Sequence, residues 1–201
     1  MKKRTAFLVT MMVSLLFVSG CATKVTRVGV DKKIDVSGYW NDYDAKLVSK
    51  EMIADCLRRP WLEEFVEKQG RDPVVIVGHV KNRSHEHINT QVFTKFLERE
   101  LLNSGKVVFV ASPEERESIR EERDDMQQGY TDPDSMIAIG KERGADLMLL
   151  GSLNSVKDEV RNKFVMFYQV NLELIDLTTN EKVWIGQKEI KKSVKKGKFG
   201  Y

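Results

Sequence analysis

The run Pro73-Val74-Val75-Ile76-Val77-Gly78-His79-Val80 constrains the fold more than any other stretch of the chain. It is almost continuous in β-branched residues, the composition of a strand buried on both faces, and such strands belong to parallel sheets covered by helices. The next thirty residues have matching spacing. Thr90 can cap a helix over 91–103 with Phe93, Phe96, Leu97 and Leu101 on one face, Gly105 supplies a permissive stop, and Val107-Val108-Phe109-Val110 reads as a second buried strand. Strand, helix and strand at this separation make a βαβ unit, right-handed and parallel in nearly all cases. The 73–80 strand is therefore expected at the centre of the sheet.

The flanks extend this unit. Asp42 or Asp44 can cap a helix through about Arg58, with Leu47, Val48, Met52, Ile53, Cys56 and Leu57 as its apolar face. Pro60 interrupts it, and a short second helix from Trp61 closes at Gly70. Ser112-Pro113-Glu114-Glu115 combines an N-cap, a first-turn proline and a capping-box glutamate, which predicts a surface helix over 114–125 with Ile119 its lone large apolar residue. Asp132 and Pro133 open another helix carrying Met136, Ile137 and Ile139 and ending near Gly144. Strands over 145–156, 164–177 and 182–190 come next, joined by a polar turn at 157–163 and by Thr178-Thr179-Asn180, as an antiparallel meander. The fold class is α/β in the α+β sense: a single domain, 36–193, with a mixed parallel and antiparallel β-sheet flanked by helices.

The amino terminus has a different character. Met1 to Arg4 is basic, Ala6 to Val18 is largely apolar, and Val18-Ser19-Gly20 is a small-residue exit before Cys21, the order of an export signal. The apolar run is too short to span a bilayer comfortably as a permanent helix. Val-Ser-Gly-Cys resembles the bacterial lipobox, which implies cleavage after residue 20 and acylation of Cys21; two or three acyl chains hold a protein on a membrane where one does not. Ala22 in place of Asp implies sorting to the outer membrane, facing the periplasm. Residues 21–35 form a lipidated tether, with a short strand near 25–30. Twenty residues reach at most about 70 Å. Cys56 is then the one free thiol, so the domain has no internal disulfide and this thiol is expected buried and inert.

Charge narrows the partners. Lys plus Arg number 33 against 30 Asp plus Glu, and Lys2, Lys3 and Arg4 supply the excess of +3 within the removed signal. A near-neutral mature chain has no global field to gather nucleic acid, whose binding rests on phosphate neutralisation. Charged residues at 31% beside 41% hydrophobic ones exclude both a disordered chain and a polytopic membrane protein.

Chemistry-bearing motifs are scarce. No Gly-rich phosphate loop opens a helix after a strand, and there is no nucleophile elbow. His85-Glu86-His87 lacks a third ligand at a useful spacing, so a polar loop is the simpler reading than a metal site. No catalytic residue, metal, cofactor or small-molecule substrate is expected. The loop 81–89 stands out, because it lies after the carboxyl end of the strongest strand and exceeds the usual strand-to-helix connection. Asn82, Arg83, Ser84 and His87 are its candidate partner-binding residues, Arg83 above all for its planar fork. The plainer alternative has Asn82 and Ser84 simply capping the turn. Lys188, Lys191, Lys192, Lys195, Lys196 and Lys198 form a second patch, running into a basic tail over 194–201. It reads either as a solvated, aggregation-protected edge strand or as an attractor for anionic lipid or cell-wall polymer.

Taken in order, the lipobox ending at Cys21, Val-Val-Ile-Val-Gly-His-Val-Lys-Asn-Arg-Ser (74–84), Leu-Asn-Ser-Gly-Lys (102–106), Val-Phe-Val-Ala-Ser (108–112), Gly-Ala-Asp-Leu-Met-Leu-Leu-Gly (144–151) and Leu-Ile-Asp-Leu-Thr-Thr-Asn-Glu-Lys-Val-Trp-Ile-Gly (174–186) resemble the LpoB family of outer-membrane lipoproteins. More distantly the chain resembles the TolB amino-terminal and CsgG-like folds. The resemblance implies a TolB N-terminal-like domain that binds and activates a bifunctional, class A penicillin-binding protein and so regulates cell-wall synthesis. Activation of that kind is allosteric, since an activator must bind the active conformation more tightly than the inactive one. The best-known members carry a long Pro-rich tether, whereas residues 22–41 contain no proline. The alternative is a structural component of an outer-membrane secretion or assembly complex in the CsgG or TolB manner.

Overall fold

Helix α1, Asp42–Cys56, starts where the Asn41 side chain accepts the Asp44 N–H at 3.0 Å and the Asp44 carboxylate accepts the Asn41 N–H at 3.0 Å. This reciprocal box satisfies donors that a helix start otherwise leaves unpaired. Asn41 thus holds the cap position expected of Asp42 or Asp44. Helix α2 is Trp61–Gln69, strand β1 Val74–Arg83, helix α3 Thr90–Asn103, strand β2 Val108–Phe109 and helix α4 Pro113–Asp125. Strands β3 (Leu147–Val160), β4 (Lys163–Asp176) and β5 (Lys182–Lys195) complete the order. Asn89, not Thr90, caps α3, its side chain accepting the Gln91 N–H at 3.0 Å. Ser112 and Glu115 form the capping box their spacing predicts.

The computed structural model describes residues 25–30, 32–132, 134 and 142–195. The chain divides into a unit of residues 1–32 and a unit of residues 33–201. In the first, residues 25–30 are exposed and take no strand pairing, so the short strand expected there is absent. The export signal, Cys21, residues 133 and 135–141 of the helix expected after Asp132, and the tail from Lys196 lie outside the described residues.

The second unit carries one five-stranded sheet of order β2-β1-β3-β4-β5. β1 pairs in parallel with β2 and with β3, while β3, β4 and β5 form an antiparallel meander. The mixed sheet agrees with the expected α+β class. Two details differ. The middle strand is β3, and β2 is a half-buried edge of only two residues rather than a second buried strand. Strand β1 keeps the both-face burial that its composition demands, with Val74, Val75, Ile76 and Val77 all buried; β2 pairs with Val74 and Val75, and β3 with Val75 to Val77 and Val80 to Arg83.

The 157–163 segment expected as a polar turn is mostly strand. β3 runs to Val160 and β4 restarts at Lys163, leaving a two-residue hairpin turn in which Arg161 adopts φ 49°. Left-handed backbone is what such tight hairpins require. The charges there are taken up within β3, where Lys157 pairs with Glu159, and across the hairpin, where Lys157 lies 5.2 Å from the Phe164 ring centroid.

Alternation along β3 to β5 defines two faces. One carries Leu149, Leu153, Met166, Tyr168, Val170, Leu172, Leu174 and Trp184, all buried in the core with α1 residues Val48, Met52 and Ile53 and α3 residues Phe93, Leu97 and Leu101. Fully burying a side chain of this size contributes roughly 1.5–3 kcal/mol. Cys56 belongs to the same core, and burial pushes its thiol up to about 12, so it is inert at neutral pH.

Candidate functional site

The loop after β1 is shorter than the sequence suggests, because Lys81, Asn82 and Arg83 continue the strand. They pair with Ser152, Leu153 and Asn154 of β3, whose backbone offers them a ladder. From this end the Asn82 side chain organises residues 84–86. Its Oδ1 accepts the Ser84 N–H at 3.0 Å and the Ser84 hydroxyl at 2.7 Å, and its Nδ2 donates to the Glu86 carbonyl at 2.8 Å. Ser84 in turn accepts the Glu86 N–H at 3.2 Å. Ser155 of β3 accepts the His85 N–H at 3.0 Å and lies the same distance from His85 Nδ1.

Glu86 fastens this loop to the interior. Its carboxylate accepts the Trp40 N–H at 3.2 Å and a short hydrogen bond from the hydroxyl of Tyr168. Tyr168 is wholly buried, and burial together with the Glu86 charge holds its hydroxyl above the usual phenol range, so it stays protonated and donates. The Trp40 ring meets Tyr168 and Phe93 edge-on at 5.6 and 6.1 Å, and Tyr39 stacks on Phe164 at 6.0 Å. Residues 35–41 thus lie as a strap beside the loop. Gly38 makes the strap possible: at φ +75° its missing Cβ would sit 2.1 Å from Val194.

Lys192 holds the strap's other side. Its ammonium donates to Asp35 at 2.7 Å, to the Tyr39 carbonyl at 2.9 Å and to Asp44, with only 10% of the Lys192 side chain and 5% of the Asp44 side chain exposed. The lysine's hydrogen bond is the chief reason the Asp35 carboxyl lies below its ordinary value. Lys192 is therefore a core tie and not a member of a solvated edge. Lys188 pairs with Glu51 of α1, which leaves Lys191 and Lys195 as exposed, unpaired lysines of β5 among the described residues.

The four candidate residues thus divide. Asn82 and Ser84 shape the loop, while Arg83 and His87 are exposed and their side chains make no hydrogen bond or ion pair among the described residues. A cleft of about 250 Å³ opens beside His87, floored by Trp40, Ile88, Val92 and Phe93. A larger open groove of about 660 Å³ lies between α1 and β5, where the Trp184 indole N–H donates to Asp55 at 3.0 Å and its ring passes over Gly186. Sequence reasoning missed Glu86, Tyr168, Lys192 and Asp44 as one polar framework. Its only signal was polar residues at inward-facing register positions, and that register depends on the fold.

No group of three or more His, Cys, Asp or Glu side chains among the described residues is placed to hold a metal, and no described helix is long and apolar enough to cross a membrane. The arrangement is an α+β domain presenting a hydrogen-bonded loop beside the Arg83 guanidinium, which has no partner among the described residues. The chain belongs to the peptidoglycan-synthase activator LpoB family, whose model matches residues 44–190. Similar solved structures include the LpoB C-terminal domain from Salmonella enterica, 20% identical over 65% of this chain and 93% of that one with a TM-score of 0.36. The LpoB C-terminal domain from Escherichia coli is 19% identical over 65% and 93%, TM-score 0.37, and E. coli LpoB solved by NMR is 18% identical over 88% and 83%, TM-score 0.39. No curated protein matches the chain.

Proposed function

We propose that the protein binds and activates a class A penicillin-binding protein from the periplasmic face of the outer membrane, and has no catalytic residue of its own. The family match from α1 into β5 is the observation that carries this reading. Acylated Cys21 is the anchor after removal of residues 1–20, residues 21–35 are the tether whose last residue, Asp35, is fastened by Lys192, 36–193 are the docking domain, which β5 extends to Lys195, and the basic tail of 194–201 follows from that strand's end. Arg83 supplies a planar, five-donor fork suited to a carboxylate of the partner, and His87 extends the contact across the adjoining loop. Asn82 and Ser84 contribute by keeping the loop in one conformation, which lowers the entropy lost on docking. Preferential binding to the active synthase conformation shifts its population, so no chemistry is needed on this side of the interface.

The test is the affinity of the full chain for the organism's own class A synthase. Arg83→Ala is expected to weaken binding by about tenfold or more, as loss of an interface arginine does, with an unchanged melting temperature because the side chain is exposed. Equal affinity for variant and wild type removes Arg83 from the interface, and no binding by either removes the reading. Metabolic labelling with a palmitate analogue checks the anchor: wild type takes the label and Cys21→Ser does not.

A further inference from the structure

The exposed face of β3, β4 and β5 carries an ordered array of hydrogen-bonding side chains that the docking loop does not use. Register aligns Ser152, Asn171 and Gln187 in one row and Asn154, Gln169 and Glu189 in the next. With strands about 4.8 Å apart and like-facing residues about 6.8 Å apart along a strand, the array measures roughly 10 by 7 Å. That is the footprint of a disaccharide. Asparagine is among the residues strands disfavour, yet Asn154 and Asn171 stand in the middle of 14-residue strands. A local choice that contradicts its element points to a site rather than to folding.

These groups are underused. Asn154 Nδ2 reaches Ser152 Oγ at 3.4 Å and the Gln169 carbonyl at 3.5 Å, and Asn171 Nδ2 reaches Gln169 Oε1 at 3.4 Å, all at the long limit of a hydrogen bond. Gln187 donates to Glu189 at 2.7 Å. Asn154 Oδ1, Asn171 Oδ1 and Gln169 Nε2 have no partner among the described residues. A carboxamide offers donors and acceptors together, the match for a hydroxyl or an N-acetyl group, which also does both. On the β1 side the exposed Lys81 and Arg83 stand opposite Ser152 and Asn154 and extend the two rows with cations suited to a carboxylate.

Charge also gathers at one end of the face. Phe167 lies on the same face two residues before Gln169 and is opposed by Val156 and by Lys191, and Lys195 opposes Lys163 beyond it. Asp158 is the carboxylate on this end of the face, so the three lysines leave it net positive. An aromatic ring beside the array suits the apolar side of a pyranose, and the lysines suit carboxylates carried by peptides branching from a glycan.

We propose that this face binds a glycan strand of peptidoglycan, the amide array taking the sugar hydroxyls and N-acetyl groups and Lys163, Lys191 and Lys195 the stem-peptide carboxylates. The site adjoins Arg83, the register partner of Asn154, and the protein engages the wall polymer as well as the enzyme that makes it.

The experiment measures retention of the full chain, in detergent micelles, on isolated sacculi. Wild type is expected to bind, to be displaced by the neutral tetramer of N-acetylglucosamine, and to keep part of its binding in high salt. The variant Asn154→Val, Gln169→Val and Asn171→Val places strand-favouring residues on an exposed face, so its melting temperature is unchanged, and its affinity for sacculi falls about tenfold through lost hydrogen bonds. Stimulation of the synthase on lipid II without sacculi is retained by it, because Arg83 and His87 are intact, which distinguishes sugar binding from the docking reading. The proposal is overturned if wild type is not retained, if the valine variant is retained equally, or if salt and Lys191→Gln with Lys195→Gln abolish binding that the tetramer cannot displace.

Discussion

The two faces of the β3–β5 meander are built from alternate residues of the same strands, yet they have opposite requirements. On the helix-covered face every polar group is tied: Tyr168 to Glu86, Ser155 to His85, and Lys192 to Asp35, Asp44 and the Tyr39 carbonyl. On the open face the carboxamides of Asn154, Gln169 and Asn171 hold only long contacts. The difference teaches where stability resides and where surface is free for recognition. Buried polar groups must be paired or they destabilise, whereas half-exposed ones can wait for a ligand because water satisfies them meanwhile.

The largest expected effect breaks the covered face. Lys192→Met removes the cation from a nearly buried Asp44, and stranding one charge of a buried pair costs about 3–5 kcal/mol; chemical denaturation measures it, with amide exchange rising along 35–41. Tyr168→Phe comes next. It keeps the ring's packing and removes only the hydroxyl that donates to Glu86, an expected loss of about 1–3 kcal/mol, with faster exchange in the 84–89 loop and weaker synthase binding although Arg83 is intact.

A smaller effect depends on pH. Asp146 accepts both Arg71 nitrogens at 2.7 Å and the Val74 N–H at 2.8 Å, and the arginine first of all holds its carboxyl below the ordinary range. A carboxyl lowered in the folded state contributes stability that is complete above its unfolded value, about pH 3.9, and is lost as pH falls through the folded one. Thermal unfolding measured from pH 6 downward should therefore show a decline that is shallower in Asp146→Asn. The smallest effect is expected on the open face, where Asn171→Val changes stability by no more than about 0.5 kcal/mol. A loss like that of Tyr168→Phe would show that the two faces are not distinct.

Much of this contrast is written in local sequence. The β-branched 74–77 run, the Ser112–Glu115 capping box and the Phe93–Leu97–Leu101 face encode their elements through neighbours alone, and they form as read. Strand ends were harder. Lys81 to Arg83 and Lys157 to Val160 are polar and read as loops, but they pair because β3 and β4 lie alongside, which is information no local window contains. Lys192 is the same lesson in electrostatics: within a lysine-rich stretch nothing marks the one whose partners, Asp35 and Asp44, are more than a hundred residues away. Arg83 and His87 were legible as exposed candidates, whereas Glu86, the residue that seats their loop, has its partners in the strap and in β4.

The most direct measurement is the rate of glycan polymerisation by the organism's own class A synthase on lipid II, with and without the purified protein. The account predicts a rise in rate that saturates with added protein, is lost or weakened in Arg83→Ala, and is retained in the Asn154, Gln169 and Asn171 valine variant. A correctly folded protein that leaves the synthase rate unchanged at saturating concentration contradicts it.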